Sequence, residues 1–295
     1  MNLPPPARDW QERGAVEDLA GIDCFVVELG DRDSDRAVVW LHGFPSSSLD
    51  WRGVVDRVHT GTGRAARMLL PDLPGYGFSA KPAGYSYSLV DQADRVVVML
   101  ARRGIANIDL IAHDMGTSVA CELLARREMN LLPFSIDSLV LTNGSVYIEQ
   151  ARLTPSQQIL RSRLGRAYTK LASERLFRWQ LRRILGRTVA DEELAAMWAL
   201  MNHNDGIARL PDIIGYIAER YRFHERWTAP LARLDVPTTI VWGKRDPVAV
   251  AAIGRRLAET IPGAKLEWLD DVGHFPMLEA PGEFIEKAGL SLLAG

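Results

Sequence analysis

Apolar residues in this chain gather into short unbroken runs, and the runs are separated by stretches with helical spacing. Residues 22–29 form the first run, closed by Gly30-Asp31. Ala37-Val38-Val39-Trp40-Leu41 is apolar throughout, as a strand buried on both faces should be. Arg67-Met68-Leu69-Leu70, Ile108-Asp109-Leu110-Ile111-Ala112, Ser138-Leu139-Val140-Leu141-Thr142, Thr238-Thr239-Ile240-Val241-Trp242 and residues 264–269 continue the series. Between them, Val90, Ala93, Val97, Leu100 and Ala101 recur with helical spacing over residues 89–103, and residues 118–126 read as a second helix. Strands alternating with helices predict an α/β fold, a mostly parallel central sheet with helices on both faces. The alternation stops from 146 to about 227, where helical stretches with many arginines replace buried strands. Such a block predicts a helical cap inserted over the C-terminal edge of the strands, where α/β sheets bind ligands. The expected organisation is a first core segment over 1–145, the cap over 146–228 and a second core segment over 229–295.

Composition narrows the class. The chain has 295 residues, 47% of them hydrophobic and 24% charged, which suits one large domain or a domain with an insertion. Its net charge of −2 gives no global pull toward nucleic acid or membrane. Cys24 and Cys121 both sit in apolar runs, which predicts buried free thiols. The opening Met1-Asn2-Leu3-Pro4-Pro5-Pro6 has neither a basic nor an apolar leader region. No apolar run approaches about 18 residues, the length that spans a bilayer. A cytoplasmic protein, monomeric or homodimeric, is the expectation.

One segment departs from this balance. Residues 151–187 hold ten basic side chains and one acid, Glu174, with Ile159, Leu164, Leu171 and Leu176 among the apolar residues interleaved. One reading is a solvated cap face whose apolar stripe packs on the core. The other is peripheral contact of the cap with an anionic membrane or an acidic partner. No reading motif accompanies the charge, so nucleic acid is not an expected partner.

Chemistry collects where the apolar runs end. His42-Gly43-Phe44-Pro45 follows the second run, and Pro71-Asp72-Leu73-Pro74-Gly75-Tyr76-Gly77-Phe78-Ser79 follows the third. The latter lacks both the P-loop and the dinucleotide-binding fingerprint, so it is a rigid loop and not a phosphate cradle. Asp72 fits a loop-fixing acceptor. His113-Asp114-Met115-Gly116 joins a strand to a helix, the context of a nucleophile elbow with Asp114 in the position usually held by Ser. The plainer reading of Asp114 is a helix N-cap. Gly243-Lys244-Arg245-Asp246-Pro247 and Gly273-His274-Phe275-Pro276 close the list. Asp246 also suits a turn before proline, and Asp270 and Asp271 are weaker candidates beside the histidine loop. His42 and His113 are expected to shape their loops, and His203 and His224 to lie on the cap surface. No His, Cys or carboxylate cluster has metal-ligand spacing, so no metal or other cofactor is expected.

The chain order elbow, acid, histidine, with an insertion between sheet halves, resembles the α/β-hydrolase fold over nearly the whole sequence. Leu41-His42-Gly43-Phe44-Pro45, Ser47-Ser48-Leu49-Asp50-Trp51, Asn143-Gly144, Asn204-Asp205-Gly206 and Tyr216-Ile217 carry a further likeness, to the mesoderm-specific transcript family and its bacterial relatives. The aspartate at the elbow resembles the aspartate-nucleophile branch, which the epoxide hydrolases and haloalkane dehalogenases represent. That resemblance implies a covalent alkyl ester on Asp114, water activated by His274 with Asp246 behind it, and an oxyanion hole from the backbone N–H groups of Phe44 and Met115. Aspartate suits attack on a saturated carbon, because the resulting ester carbonyl belongs to the enzyme and water can reopen it. A small lipophilic electrophile is the implied substrate. Phe44 and Met115 stand where dehalogenases typically place side-chain donors for a departing halide, which favours the epoxide hydrolase pattern over the dehalogenase one. In that pattern Tyr216 would protonate the opening oxygen from the cap, with either Tyr147 or Tyr168 as its partner at the substrate. A non-catalytic or membrane-associated binding protein on the same fold is the alternative from another class.

Overall fold

The structure, a computed structural model, describes residues 3–60 and 66–290. Met1 and Asn2 of the N-terminal reading, and residues 291–295 of the expected second core segment, lie outside the described residues.

The chain opens with α1 (Pro5–Arg13), β1 (Gly14–Asp18), β2 (Asp23–Leu29) and β3 (Arg36–Leu41). It continues through α2 (Arg52–Thr60), β4 (Arg67–Pro71), α3 (Leu89–Arg102), β5 (Asn107–His113), α4 (Met115–Glu128) and β6 (Ser135–Thr142). Seven helices follow: α5 (Pro155–Leu160), α6 (Gly165–Thr169), α7 (Glu174–Arg182), α8 (Asp191–Asn202), α9 (Gly206–Ile213), α10 (Tyr216–Arg222) and α11 (His224–Thr228). The last elements are β7 (Thr238–Gly243), α12 (Ala251–Thr260), β8 (Lys265–Leu269), α13 (Pro276–Glu279) and α14 (Pro281–Lys287).

The eight strands make one sheet in the order β1-β2-β4-β3-β5-β6-β7-β8. The pairs from β4 through β8 are parallel, while β1 and β2 add an antiparallel margin. Every residue of β4 and every residue of β3 after Arg36 is buried, so both faces of the central strands are covered, and that is why their sequences do not alternate. The expected strands appear within a few residues of their predicted ends. β1 and α1 were not expected. Gly-Ala-Val-Glu-Asp carries little apolar character, and β1 is a half-exposed margin held by its pairing with β2. Cys24 and Cys121 are buried and free.

Parallel pairing has one consequence for chemistry. The loops after β3, β5, β6, β7 and β8 all leave the same edge of the sheet, so His42-Gly43-Phe44, Asp114, Asn143, Asp246 and His274 converge there. The segment between β6 and β7 contains helices and no strand. Of these helices, α8 packs on α1 and α11 packs on α4. No helix among the described residues is long and apolar enough to cross a membrane.

Candidate active site

Asp114 occupies the turn between β5 and α4 at φ 42° and ψ −110°, a left-handed region that a side chain adopts only under constraint. The constraint is visible two residues on. A Cβ at Gly116 would lie 2.8 Å from the carbonyl oxygen of His42 and 2.8 Å from Leu41, so only glycine lets α4 start this close to β3. Asp114 makes no side-chain cap, which corrects the N-cap reading. Its carbonyl oxygen accepts from Thr117 N at 3.1 Å and Oγ1 at 2.6 Å, and its carboxylate turns away from the helix. Oδ2 accepts from Phe44 N at 2.9 Å. Gly43 permits this approach, since a Cβ there would sit 2.6 Å from that of Asp114. The N–H of Met115, first in α4, is among those a helix leaves without an internal acceptor.

His274 and Asp246 meet beside this carboxylate. Nδ1 of His274 donates to Oδ2 of Asp246 at 2.6 Å, and both residues are buried. Asp246 also accepts from the backbone N–H groups of Val248 at 2.7 Å and Ala249 at 3.0 Å, which fix its other oxygen. Asp271 instead pairs with Arg187 and the exposed Asp270 with Lys244. Burial pulls the His274 pKa down. The Asp246 charge and hydrogen bond, with the charges of Asp114 and Glu279, outweigh burial and raise it to about 9. The charges of Asp246 and Asp114 thus favour the protonated imidazole.

Asn143, at φ 38° beyond β6, was quoted for the family likeness without a role. Its Nδ2 donates to Asp246 at 2.7 Å and to the carbonyls of Gly243 and Gly273 at 3.2 Å, while Oδ1 accepts from Gly243 N at 2.8 Å. One amide thus ties together the loops after β6, β7 and β8. Glu279 does similar work from α13. Its carboxylate accepts from the N–H groups of Gly186, Arg187, Gly273 and Phe275 at 2.7–3.0 Å. It joins the end of the arginine-rich segment to the loop that carries His274.

The largest surprise is Arg220. In sequence it reads as part of a charged helix face, Glu219-Arg220-Tyr221-Arg222. In the fold it is 3% exposed. Nε donates to Ser118 Oγ at 2.8 Å and Nη2 to the carbonyl oxygen of Asp114 at 3.1 Å, with Nη2 also 3.5 Å from Oδ1. Burial alone would raise the Asp114 pKa. Arg220, His274, His113 and the Phe44 N–H reverse this and hold it below the usual carboxylate range.

Tyr216, one helical turn before Arg220 on α10, lies with its ring 4.7 Å from the guanidinium and 5.5 Å from the Phe44 ring. Its hydroxyl is buried and faces the Gln157 side chain without a hydrogen bond of ordinary length. Burial and the negative charge of Asp114 push its pKa up. Tyr76 comes from the glycine-rich loop after β4 and was not singled out as a site residue. Its hydroxyl donates only to the sulfur of Met115, at 2.8 Å, and its pKa is raised by burial and then by Tyr216 and Asp114.

Tyr147 and Tyr168 are not brought to this cluster. The Tyr147 hydroxyl donates to Thr260 Oγ1 at 2.9 Å beneath Arg256, and the Tyr168 hydroxyl accepts from Gln180 at 2.8 Å. Both hydroxyls are thus engaged by other side chains and not by the Asp114 cluster. His42 donates from Nδ1 to the Gly43 carbonyl at 2.9 Å and accepts from Leu73 N at 3.0 Å, shaping its loop. His113 bonds the His274 carbonyl at 2.8 Å, and burial and the His274 charge lower its pKa to about 3. Asp72 accepts from Ser48 N, Ser48 Oγ and Phe78 N at 2.6–2.8 Å. Among the described residues no three His, Cys, Asp or Glu side chains gather where they could hold a metal ion.

Comparison with known proteins adds a context for this geometry. The profile described as the Alpha/beta hydrolase family matches residues 38–287. The LipZ protein of Mycobacterium tuberculosis is 39% identical over 292 residues, 98% of each chain. The mesoderm-specific transcript protein of Mus musculus is 33% identical over 300 residues, covering 97% of this chain and 89% of that protein. Among solved structures, haloalkane dehalogenase DbeA from Bradyrhizobium elkani USDA94 superposes with a TM-score of 0.77 at 24% identity, over 96% of this chain and 97% of that one. At that identity the likeness speaks for the fold alone.

Proposed function

The chain belongs to the α/β-hydrolase family, and from that premise we propose that it opens epoxides through a covalent ester on Asp114. The observation that carries the reading is the differing environment of the two Asp114 oxygens. Oδ2 is held by the Phe44 N–H, whereas Oδ1 faces Arg220, on whose guanidinium the Tyr216 ring stacks.

In the first step Oδ1 attacks a ring carbon of the epoxide, and the C–O bond electrons pass to the ring oxygen. That oxygen takes a proton from Tyr216, with Tyr76 as the second phenol and Arg220 as the neighbouring cation. A buried phenol with a raised pKa keeps its proton until an alkoxide forms, which is the behaviour a general acid requires. In the second step a water attacks the Asp114 carbonyl carbon and gives a proton to Nε2 of His274. The oxyanion grows on Oδ2, against the Phe44 N–H and the helix-start N–H of Met115, a placement typically worth about 10²–10³-fold per donor. Collapse passes the proton held by His274 to the departing Oδ1, the remaining proton of the water returns to Tyr216, and the diol leaves with the carboxylate restored.

The two steps call for different states of His274, and the chemistry of Asp114 supplies the change. Its negative charge is one cause of the raised His274 pKa. Esterification removes that charge, so the imidazole loses its proton more readily when a base is needed. The side chains of Phe44 and Met115 offer no donor to a halide, which supports an oxygen leaving group.

A His274→Gln variant incubated with a mixed panel of epoxides and haloalkanes tests the reading by intact mass. Stalling at the ester predicts a mass gain equal to a whole epoxide, absent in Asp114→Ala. A gain equal to a haloalkane less its hydrogen halide would overturn the epoxide assignment. No gain across the panel would overturn the covalent route.

A further inference from the structure

Four of the eight large apolar side chains that stand exposed among the described residues fall between residues 159 and 179: Ile159 at 37%, Leu164 at 67%, Leu171 at 72% and Trp179 at 56%. They alternate with cations. Arg161, Arg163, Lys170 and Arg175 are exposed, and their side chains have neither hydrogen bond nor ion pair among the described residues. The one acid of this stretch, Glu174, is already paired with Arg178. The helices turn other apolar residues inward, with Leu160 of α5 and Phe177 and Leu181 of α7 buried. The outward residues are therefore surplus to the core. Two features join the three helices into one surface. Gln180 of α7 donates to the Tyr168 hydroxyl of α6, and α5 runs into α6 through a turn closed by Gly165 N on Ser162 O at 3.0 Å.

We infer that the outward face of α5–α7 docks on an anionic lipid bilayer, with Leu164, Leu171 and Trp179 entering the interface and the unpaired arginines and Lys170 meeting lipid phosphates. The charge argument selects the occupant. A solvated face gains nothing from large exposed apolar groups, and an apolar protein partner gains nothing from four unpaired cations, whereas an anionic interface uses both. A net charge of −2 for the chain as a whole makes the attraction directional, so that only this face approaches. The segment ends at the active-site loop, where the His274 N–H donates to the Ile184 carbonyl at 2.9 Å and Glu279 holds Gly186. Docking there sets the site beside the phase in which lipophilic molecules dissolve.

The test is co-sedimentation of the full chain with vesicles of pure phosphatidylcholine and of phosphatidylcholine with one third phosphatidylglycerol, at low and physiological salt. Binding to the anionic vesicles alone, weakening as salt rises, is expected. The triple variant Arg163→Glu, Lys170→Glu, Arg175→Glu should reduce that binding by roughly two orders of magnitude or more. Leu164→Ser, Leu171→Ser, Trp179→Ser should reduce it at both salt concentrations. Thermal unfolding matched to the unmodified protein, with unchanged turnover of a water-soluble substrate, establishes that the variants are folded. Negligible binding to either vesicle, equal binding to both, or binding that both variants retain would overturn the proposal. Self-association abolished by the same substitutions, without vesicle binding, would also overturn it and assign the face to a second copy of the chain.

Discussion

The guanidinium of Arg220 and the carboxylate of Asp114 form a buried ion pair, Nη2 to Oδ1 at 3.5 Å, with the side chains 3% and 5% exposed. A nucleophile paired to a cation stays ionised but is less reactive, so the pairing is useful only if substrate rearranges it. On the proposed route an opening epoxide does so. As Oδ1 becomes an ester oxygen, the negative charge that Arg220 faces moves to the ring oxygen.

Replacing Arg220 with Leu follows directly from that pairing. The cation lowers the Asp114 pKa, so its loss raises it, and the acid limb of the kcat/KM profile moves toward neutral pH. The ionised carboxylate also stabilises the fold above its unfolded pKa of about 3.9, a contribution lost as pH falls through the lower native value. In the variant that acid-side protection disappears, and the uncompensated buried charge costs about 3–5 kcal/mol at neutral pH. Arg220→Lys should restore part of the stability. pH–rate profiles and urea unfolding of the three proteins measure both effects, and an unmoved acid limb would remove Arg220 from the account.

The tyrosines divide into two pairs by their hydrogen bonds. Tyr216→Phe should lower kcat by about 10²-fold or more, as loss of a general acid does, while costing little stability because its hydroxyl makes no hydrogen bond of ordinary length. Tyr76→Phe forfeits only a bond to sulfur and should lower kcat with little change in stability. Tyr147→Phe and Tyr168→Phe should leave kcat within a few-fold and cost about 1 kcal/mol of stability each, from the bonds to Thr260 and Gln180. Steady-state kinetics on an accepted epoxide, with thermal melts, would separate the pairs.

Glu279→Ala removes the acceptor shared by four backbone N–H groups. Leaving buried donors unpaired costs about 1–3 kcal/mol each where water does not replace the carboxylate, so a loss of at least ~3 kcal/mol is expected in urea unfolding. Activity should fall with it, because the His274 loop is held from the same carboxylate. Glu279→Gln, which keeps one acceptor oxygen, should lie between the two.

The sheet was legible because buried parallel strands leave unbroken apolar runs, and the loops bearing Asp114, Asp246 and His274 follow from where those runs stop. What escaped the sequence depends on tertiary distance. Arg220 sits among Glu219, Tyr221 and Arg222, where a helix facing solvent looks the same as a helix delivering one arginine inward. The only local signal was its i, i+4 spacing from Tyr216, the spacing that allows ring and guanidinium to stack. Tyr76 was hidden in a loop read for its glycines, and Glu279 in a short helix with no pattern of its own. Tyr147 and Tyr168 looked equally suited to partner Tyr216 because tyrosine packs with its hydroxyl at a rim as readily as it serves a site. Only the identity of each acceptor tells them apart.

The bond from the Phe44 N–H to Oδ2 of Asp114 has a consequence for the bookkeeping of atoms on the proposed route. Oδ2 stays in its seat through attack, hydrolysis and release, while Oδ1 leaves with the diol and the oxygen of water takes its place. One carboxylate oxygen is then as permanent as the backbone that holds it, and its twin is a consumable renewed at every turnover. Each diol molecule carries away an oxygen that water delivered to the protein one cycle earlier.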